Sequence, residues 1–564
     1  MFAAVPAPAE MARWDALAQE WGLPEDVLME NAAREALFAL CGLLEARGMP
    51  LRGARVLLLM GSGNNGGDAA CLARHLQDGG ALPLVLYTRP PGRMRGAAGR
   101  FARLARKLGV PFRRLPESGS LCSAVSSFAP DIIVDGLLGT GFHGELRMRE
   151  LNLVRSINSL RRAVLIFSLD IPSGLDGLNG LPRPAAVRAH ATVTFQAAKP
   201  GLLVPGAREF TGDLLVRPIG MPLRVMERVP ASFIMWPASF VMRPGSFIIQ
   251  KEGADFSGDA PLLNSPRSGP RHKGEAGRVL VVGGSVDITG APRLAALGAL
   301  RAGAGLLAVA APEGALPPIR AGLPEAVTHA LPAGQGGREW HAGQLSALYD
   351  ALAACRRRGA VVVGPGMGRN NGAEEFLRAL LDIPGRPPVV LDADALFALA
   401  AEPELLGFLT ARDVLTPHPG EAAALLGMTA AEVQADRFAA HARLRALAPA
   451  CWVLKGEGTL SGVADGPVCL SPWSMPQLAI GGSGDVLAGI AGALLASGRD
   501  AALAAALGVE IHARAGAALA KQWPERGNGP REIADAVSGV LAGMNLPRPG
   551  QGVETLCPAY ALRA

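Results

Sequence analysis

The sequence predicts an α/β protein of two three-layer domains in tandem, and three observations predict it. Strand-length apolar runs alternate with helical stretches in both halves, several runs empty into glycine-rich loops, and a stretch of weak periodicity separates the halves. With 564 residues, 49% of them hydrophobic and 18% charged, the chain can bury more than one core, and one domain would be too few.

Residues 55–60 form an apolar strand that runs into Gly61-Ser62-Gly63-Asn64-Asn65-Gly66-Gly67-Asp68, and residues 69–76 then read as helix. This is a strand, phosphate-loop, helix unit. Apolar runs at 82–87, 131–135, 163–169 and 191–195 alternate with helical segments, as in a parallel sheet covered on both faces, and residues 1–225 are assigned to that domain. From 226 to 270 periodicity fades into Pro, Ser and Gly with isolated Trp236, Phe240 and Phe247, which reads as a connector. A second alternation follows: a strand at 278–282, Gly283-Gly284-Ser285, a helix over 294–302, then strands at 306–310, 360–363, 389–391 and 451–455. Residues 271–550 are assigned to the second domain, and no sequence repeat relates the two.

The formal charge of +6 is scattered among acids rather than collected in runs, which argues against nucleic-acid partners and suits small anionic ligands. No apolar stretch reads as a membrane span, and the N-terminus lacks a basic region and long apolar core, so a cytoplasmic protein is expected. The seven cysteines (41, 71, 122, 355, 451, 469 and 557) form no C-x-x-C pair and no cluster with histidine along the chain, so neither disulfides nor zinc are expected.

The most informative stretch is Gly481-Gly482-Ser483-Gly484-Asp485, followed by the apolar run from Val486. Glycines let amides converge on an oxyanion at a helix start, and Asp485 sets a carboxylate beside it, which points to phosphoryl transfer. Near the N-terminus, Gly61 to Gly66 matches G-x-G-x-x-G, yet residues 87–89 are Tyr-Thr-Arg where a dinucleotide fold needs an acid for the ribose. The loop instead carries Asn64, Asn65 and Asp68, oxygen-rich groups suited to a cation or polar ligand near phosphate. The loops 135–141 and 169–176 also follow strands, so the three converge on one crevice, although each alone reads equally as a plain turn.

Met29-Glu30-Asn31-Ala32, Gly63 to Asp68, Asp135 to Gly141 and Asp170-Ile171-Pro172-Ser173-Gly174 resemble the NAD(P)H-hydrate epimerase family, with a Rossmann-like parallel sheet. The resemblance implies that Asn64, Asn65, Gly66, Gly67 and Asp68, with Gly139, Thr140, Gly141, Phe142, His143, Gly144 and Glu145, grip a hydrated nicotinamide nucleotide. It further implies Asp170 as the acid/base at the reactive ring and Asn65, Asp135 and Ser173 as potassium ligands. Ala69 departs from the glycine common there and is expected to narrow the loop slightly.

The second half carries His272-Lys273-Gly274, Val281 to Ser285, Thr289-Gly290-Ala291-Pro292, Gly364 to Gly368, Leu391 to Ala395, Thr416 to Glu421, Lys455 to Thr459 and the Gly-Gly-Ser-Gly-Asp opening. This ordered set resembles the ADP/ATP-dependent NAD(P)H-hydrate dehydratases of the ribokinase-like fold. By that resemblance Ala291, Gly366, His418 and Asp485 meet the hydrate, with Asp485 as general base. Lys455, Gly456, Glu457, Gly458, Thr459 and Gly484 hold the adenine nucleotide, with magnesium as counter-ion. Ile288 stands where the family usually has tyrosine, and Ser483 where it often has threonine. Residue by residue, Lys455 to Thr459 also reads as a surface turn, His418 as a structural histidine, and Asp392 and Asp394 as either metal ligands or helix caps.

The expected function is repair of hydrated NADH and NADPH by epimerisation and nucleotide-dependent dehydration, with ADP favoured over ATP by the Ala, Gly and Arg excess. Assembly into homo-oligomers follows from the resemblance only. The rivals are a vitamin or sugar kinase, which shares the anion hole and catalytic aspartate, and an N-terminal binding module.

Overall fold

The computed structural model describes residues 3–116, 121–235, 240–243, 246–249, 274, 276–334 and 339–544. They fall into two compact units, one within residues 2–254 and the other within 255–554. Trp236, His272 and Lys273 lie outside the described residues, as does the chain from 545 onward.

The N-terminal unit contains β1 (Ala3–Val5), β2 (Arg55–Met60), β3 (Leu82–Tyr87), β4 (Phe112–Arg114), β5 (Ile132–Gly136), β6 (Leu165–Leu169), β7 (Ala191–Phe195), β8 (Asp213–Arg217), β9 (Phe233–Met235), β10 (Phe240–Arg243) and β11 (Ser246–Ile249). Nine of these form a sheet in the order β10-β11-β8-β7-β6-β5-β2-β3-β4, parallel from β8 to β4. The central strands are mainly apolar because both faces are covered, whereas the edge strand β4 reads Phe-Arg-Arg and is largely exposed. Val56, Leu58 and Met60 enter one core with the helices Glu25–Glu45 and Asn64–Asp78, while Leu57 and Leu59 enter the other with helix Met148–Leu160. Strand order reverses at β2, whose Met60 pairs with Gly136 of β5. The loops leaving their carboxyl ends therefore meet, which is where open α/β sheets bind ligands.

Two differences from the sequence expectation matter. The helix after β2 starts at Asn64, not residue 69, with Gly63 as its cap. Asn, Gly and Asp are poor helix formers, but close packing overrides them: a Cβ on Gly66 would lie 2.2 Å from the Gly61 carbonyl oxygen, and one on Gly67 2.7 Å from Ala98 Cα. Ala69 does not narrow the loop; it is fully buried and faces Gly136, where an added Cβ would meet it at 2.6 Å. Secondly, the expected connector 226–270 supplies β9, which pairs with β1, and β10 and β11, which extend the sheet antiparallel from β8. Runs of three or four residues are too short for periodicity to reveal.

The C-terminal unit contains β12 (Arg278–Val282), β13 (Leu306–Pro312), β14 (Val327–Leu331), β15 (Gly359–Val363), β16 (Val389–Leu391), β17 (Val414–Leu415), β18 (Cys451–Leu454), β19 (Thr459–Gly462) and β20 (Val468–Ser471). Their order is β20-β19-β18-β17-β16-β15-β12-β13-β14, parallel from β18 to β14 and antiparallel at β19 and β20. Here order reverses between β12 and β15. Leu280, Val282, Val361 and Val363 line one core. On the other face lies helix Ser483–Ala496, where a Cβ on Gly492 would sit 2.6 Å from Val362 Cγ2. This helix crosses helix Gly290–Arg301 so closely that a Cβ on Gly489 would strike the Ala295 carbonyl oxygen at 1.8 Å.

Helix Ala501–Leu519 is long and apolar enough by composition to cross a membrane, which the sequence reading missed. Its apolar window is 78% buried inside the protein, and its Glu510 and His512 have buried partners, so it is a core helix.

Candidate active sites

The N-terminal crevice is a cavity of about 650 Å³ at the switch between β2 and β5. Asn64, Asn65 and Asp68 reach it from the first turns of the helix after β2. Gly139, Thr140, Gly141, Phe142 and His143 reach it from the loop after β5, and Asp170 from the loop after β6. Gly66, Gly67, Gly144 and Glu145 are not among its lining: the first two are spent on packing and the last two are exposed.

Asp170 sits in the left-handed region at φ +61°, which an aspartate tolerates better than most residues. Its carboxylate accepts from Lys199 Nζ at 2.6 Å and from the Thr140 amide at 3.4 Å. Lys199 is 1% exposed and also donates to Thr194 Oγ1 at 2.8 Å and the Phe195 carbonyl at 3.2 Å. Sequence reasoning missed Lys199, which stands in no motif. It also missed Asp15 of helix Pro8–Glu20 and Glu25, both in the cavity wall. Burial, with the charges of Asp170, Asp15 and Glu25, pushes the Asp68 carboxyl well above the usual range. Burial likewise raises Asp15 to about 6, opposed by Lys199 and supported by Asp170 and Glu25.

The three residues expected to hold potassium gather at the same switch. Asp135 is fully buried and accepts from Ser173 Oγ at 2.5 Å, the Ser173 amide at 2.8 Å, Ser168 Oγ at 3.0 Å and the Leu137 amide at 3.3 Å. Asn65 Nδ2 donates to the carbonyls of Leu138 and Leu169, at 2.8 and 3.1 Å, and so ties two loops together. Asn65 Oδ1 is buried without a hydrogen-bond partner. Asn65 Nδ2 and Ser173 Oγ share the Leu138 carbonyl, so the orphaned amide oxygen lies on the same loop as the hydroxyl bonded to Asp135, an oxygen donor set that fits a hard monovalent cation.

Cysteine and histidine do cluster, contrary to the sequence reading. One helical turn brings Cys71 and His75 to Glu30, with ligand atoms within 4.8 Å of one another. Arg74 Nη2, 2.6 Å from Glu30 Oε2, makes this an ion-paired network rather than an open ligand set.

In the C-terminal unit Lys455 leaves the end of β18 and places Nζ 2.6 Å from Asp392 Oδ1 and 3.6 Å from Glu421 Oε2. Thr416 Oγ1 donates to the same Asp392 oxygen at 2.7 Å. Burial depresses the Lys455 ammonium most strongly, but Asp392 and Glu421 outweigh it and the net shift is upward. A Cβ on Gly484 would lie 3.2 Å from Lys455 Nζ, so the ammonium sits directly behind the anion loop. Gly482, at φ +89°, caps the helix that starts at Ser483, and the Ser483 amide is taken by the Ile480 carbonyl at 3.2 Å. Among the described residues no carbonyl takes the amides of Gly484 and Asp485 in the first turn, which leaves them for an oxyanion. Burial, reinforced by Asp392, Asp394 and Glu421 against Lys455, lifts the Asp485 carboxyl to about 8.

His418 caps helix Pro419–Leu426: its Nδ1 accepts from the amides of Gly420 and Glu421, at 2.9 and 3.3 Å. Its structural and contact readings are therefore compatible, because a ring accepting at Nδ1 keeps Nε2 as its donor. Gly366, at φ +69°, packs on Ile288, and Ala291 lies in the first turn of helix Gly290–Arg301. Asp394 accepts from the Gly368 amide at 2.9 Å and pairs with Arg369, while Asp392 serves Lys455, so neither side chain caps the helix that begins at Asp394. Thr459 Oγ1 closes onto the Gly456 carbonyl at 2.7 Å, and Ser474 Oγ donates to Glu457. Arg437, missed by sequence reasoning, donates to the carbonyls of Leu454, Lys455 and Gly458 and so fixes that loop.

Comparison with known proteins bears on both units. Residues 25–201 match the family described as YjeF-related protein N-terminus, and residues 279–538 match the family described as NAD(P)H-hydrate dehydratase. The bifunctional NAD(P)H-hydrate repair enzyme of Moorella thermoacetica is 34% identical over 98% of this chain and 98% of its own. The chain belongs to the bifunctional NAD(P)H-hydrate repair enzymes. The repair enzyme of Coxiella burnetii is 34% identical over 91% of this chain and 94% of its own, and that of Escherichia coli 32% over 84% and 82%. Among solved structures, the ADP/ATP-dependent NAD(P)H-hydrate dehydratase of Bacillus subtilis, co-crystallised with ATP/Mg2+, is 27% identical over 50% of this repair enzyme and 94% of that chain, with a TM-score of 0.38.

Proposed function

We propose that the N-terminal cavity interconverts the R and S hydrates of NADH and NADPH at C6, and that the C-terminal site dehydrates the S form at the expense of ADP or ATP. The observation that carries this division is a matched arrangement in each unit. A lysine is held 2.6 Å from a strand-end aspartate, Lys199 on Asp170 and Lys455 on Asp392, and the second lies against the Gly484 anion loop.

C6 of the hydrate bears both a hydroxyl and the ring nitrogen, so its configuration inverts through an iminium under modest acid/base help, with Asp170 as one such group. Asn65, Asp135 and Ser173 would hold potassium, which supplies counter-charge beside a phosphorylated ligand. In the second unit Asp485 takes the proton of the C6 hydroxyl, which attacks the terminal phosphate of the nucleotide. The Gly484 and Asp485 amides and Lys455 stabilise the charge that develops. Loss of phosphate, driven by the ring nitrogen, and of the C5 proton restores the reduced nicotinamide. Magnesium bound with the nucleotide supplies further counter-charge, and Gly456 to Thr459 cradle the phosphates. Ala291, Gly366 and His418 Nε2 face the hydrate. A cytoplasmic setting, where NADH and NADPH form, suits this reaction.

The test is near-ultraviolet absorbance on mixing the protein with both NADH hydrate epimers, magnesium, potassium and either ADP or ATP. Recovery of NADH with equimolar inorganic phosphate is expected. A stable phosphoester in place of phosphate would mean a kinase.

A further inference from the structure

Two carboxyls of the N-terminal cavity stand in no motif: Glu25, which accepts from the Ala97 amide at 3.1 Å, and Asp15. Asp15 lies on helix Pro8–Glu20, outside the segment matched by the family model. That helix is fixed in place: Trp14 is fully buried and donates from Nε1 to the Val229 carbonyl at 2.7 Å, and Glu10 accepts from the amides of Ala7 and Ser232. Met11, Asp15 and Gln19, one turn apart, form the stripe turned to the cavity. Among the described residues no hydrogen bond or ion pair engages the Asp15 carboxyl, so it is free to serve a ligand.

The groups whose charges bear on it are Glu25 from the next helix and Asp170 and Lys199 from the loops after β6 and β7, while Asp68 of the same cavity feels Asp15 in turn. Lys199 is committed to Asp170. The two carboxyls therefore differ in kind: Asp170 has its own cation at 2.6 Å, and Asp15 has none. Two carboxyls held in such different surroundings can take different roles in one reaction.

Resting on the epimerase function proposed above, we infer that Asp15 is the second acid/base group of the epimerase cavity, working opposite Asp170. The Asp15 carboxyl gives its proton to the C6 hydroxyl. The C6–O bond breaks, water leaves, and the N1 lone pair closes the iminium. Water then returns to C6 from the other side, and its oxygen forms the new bond as Asp170 takes its proton. Solvent carries that proton back to Asp15, so nothing is consumed. Burial sets the Asp15 carboxyl at about 6, near neutral pH, where a side chain both gives and regains a proton readily. Burial and the neighbouring carboxylates push Asp68 up as well, with Asp15 among them.

The experiment is proton NMR exchange between the C6 signals of the R and S hydrates. It uses the full chain with potassium and no nucleotide, from about pH 5 to 9, with the uncatalysed rate subtracted. Wild-type kcat is expected to fall as pH rises through about 6, because the acid must be protonated. Asp15→Asn should lower kcat about 100-fold with KM changed little, and should erase that limb. Asp15→Glu should restore the limb. An Asp15→Asn protein that retains the limb, or changes KM alone, overturns the assignment. A wild-type chain that exchanges no epimers overturns instead the epimerase function on which it rests.

Discussion

Replacing Lys199 by methionine tests the N-terminal site through stability as well as rate. The ammonium makes three hydrogen bonds, to Asp170 at 2.6 Å, Thr194 at 2.8 Å and the Phe195 carbonyl at 3.2 Å, and its side chain is 1% exposed against 15% for Asp170. Removing one member of a buried ion pair strands the other charge, at a cost of about 3–5 kcal/mol. Asp170 borders the cavity and water reaches it, so the lower figure applies, about 3 kcal/mol. A domain of this size loses about 2–4 °C in Tm per kcal/mol, which gives a fall of about 6–12 °C in the N-terminal transition. Differential scanning calorimetry reads this directly, and Lys199→Met with Asp170→Asn together should lose much less, because no charge is then stranded. A single variant within about 2 °C of wild type, with normal epimer exchange, would refute the assignment of Lys199 as the counter-charge of Asp170.

Gly484→Ala drives a methyl group to 3.2 Å from Lys455 Nζ, so nucleotide-dependent phosphate release should fall at least about tenfold while epimer exchange stays at the wild-type rate. The Asp485 carboxyl stays protonated until pH passes about 8, and a base must be deprotonated. Dehydration kcat should therefore climb toward alkaline pH, and a profile flat from about pH 6 to 9 would contradict that role. Asn65→Ala removes the orphaned buried oxygen, so potassium should raise the Tm of the wild-type N-terminal unit but not that of the variant. Equal potassium shifts in both proteins would remove Asn65 from the cation site.

Much of the fold was legible because central strands of a parallel sheet are apolar on both faces. Leu57 and Leu58 enter different cores yet look alike in sequence, and that monotony marks the strand. Glycine loops were legible for a related reason, since Gly61 and Gly66 stand where another backbone leaves no room for a Cβ and Gly484 where a Cβ would crowd a lysine. The start of the helix at Asn64 was not legible, because local propensity opposes it and only packing against Gly61 and Ala98 decides it. The site residues that escaped share one trait: their meaning lies in a distant partner. Lys199 follows Asp170 by 29 positions, His512 follows Ser483 by 29 and bonds its hydroxyl at 3.0 Å, and Arg437 reaches carbonyls up to 21 residues on. No spacing rule encodes such pairs, since the topology of the sheet brings them together.

The most direct measurement supplies hydrate enriched in the R epimer to the full chain with potassium, magnesium and nucleotide, and follows NADH absorbance and inorganic phosphate together. Wild type should convert all of the hydrate, with one phosphate released per NADH. Asp170→Asn should stop once the S fraction is used, apart from the uncatalysed drift, and Asp485→Asn should recover none. Full recovery by Asp485→Asn, or NADH formed without phosphate, would contradict the division of labour between the two sites.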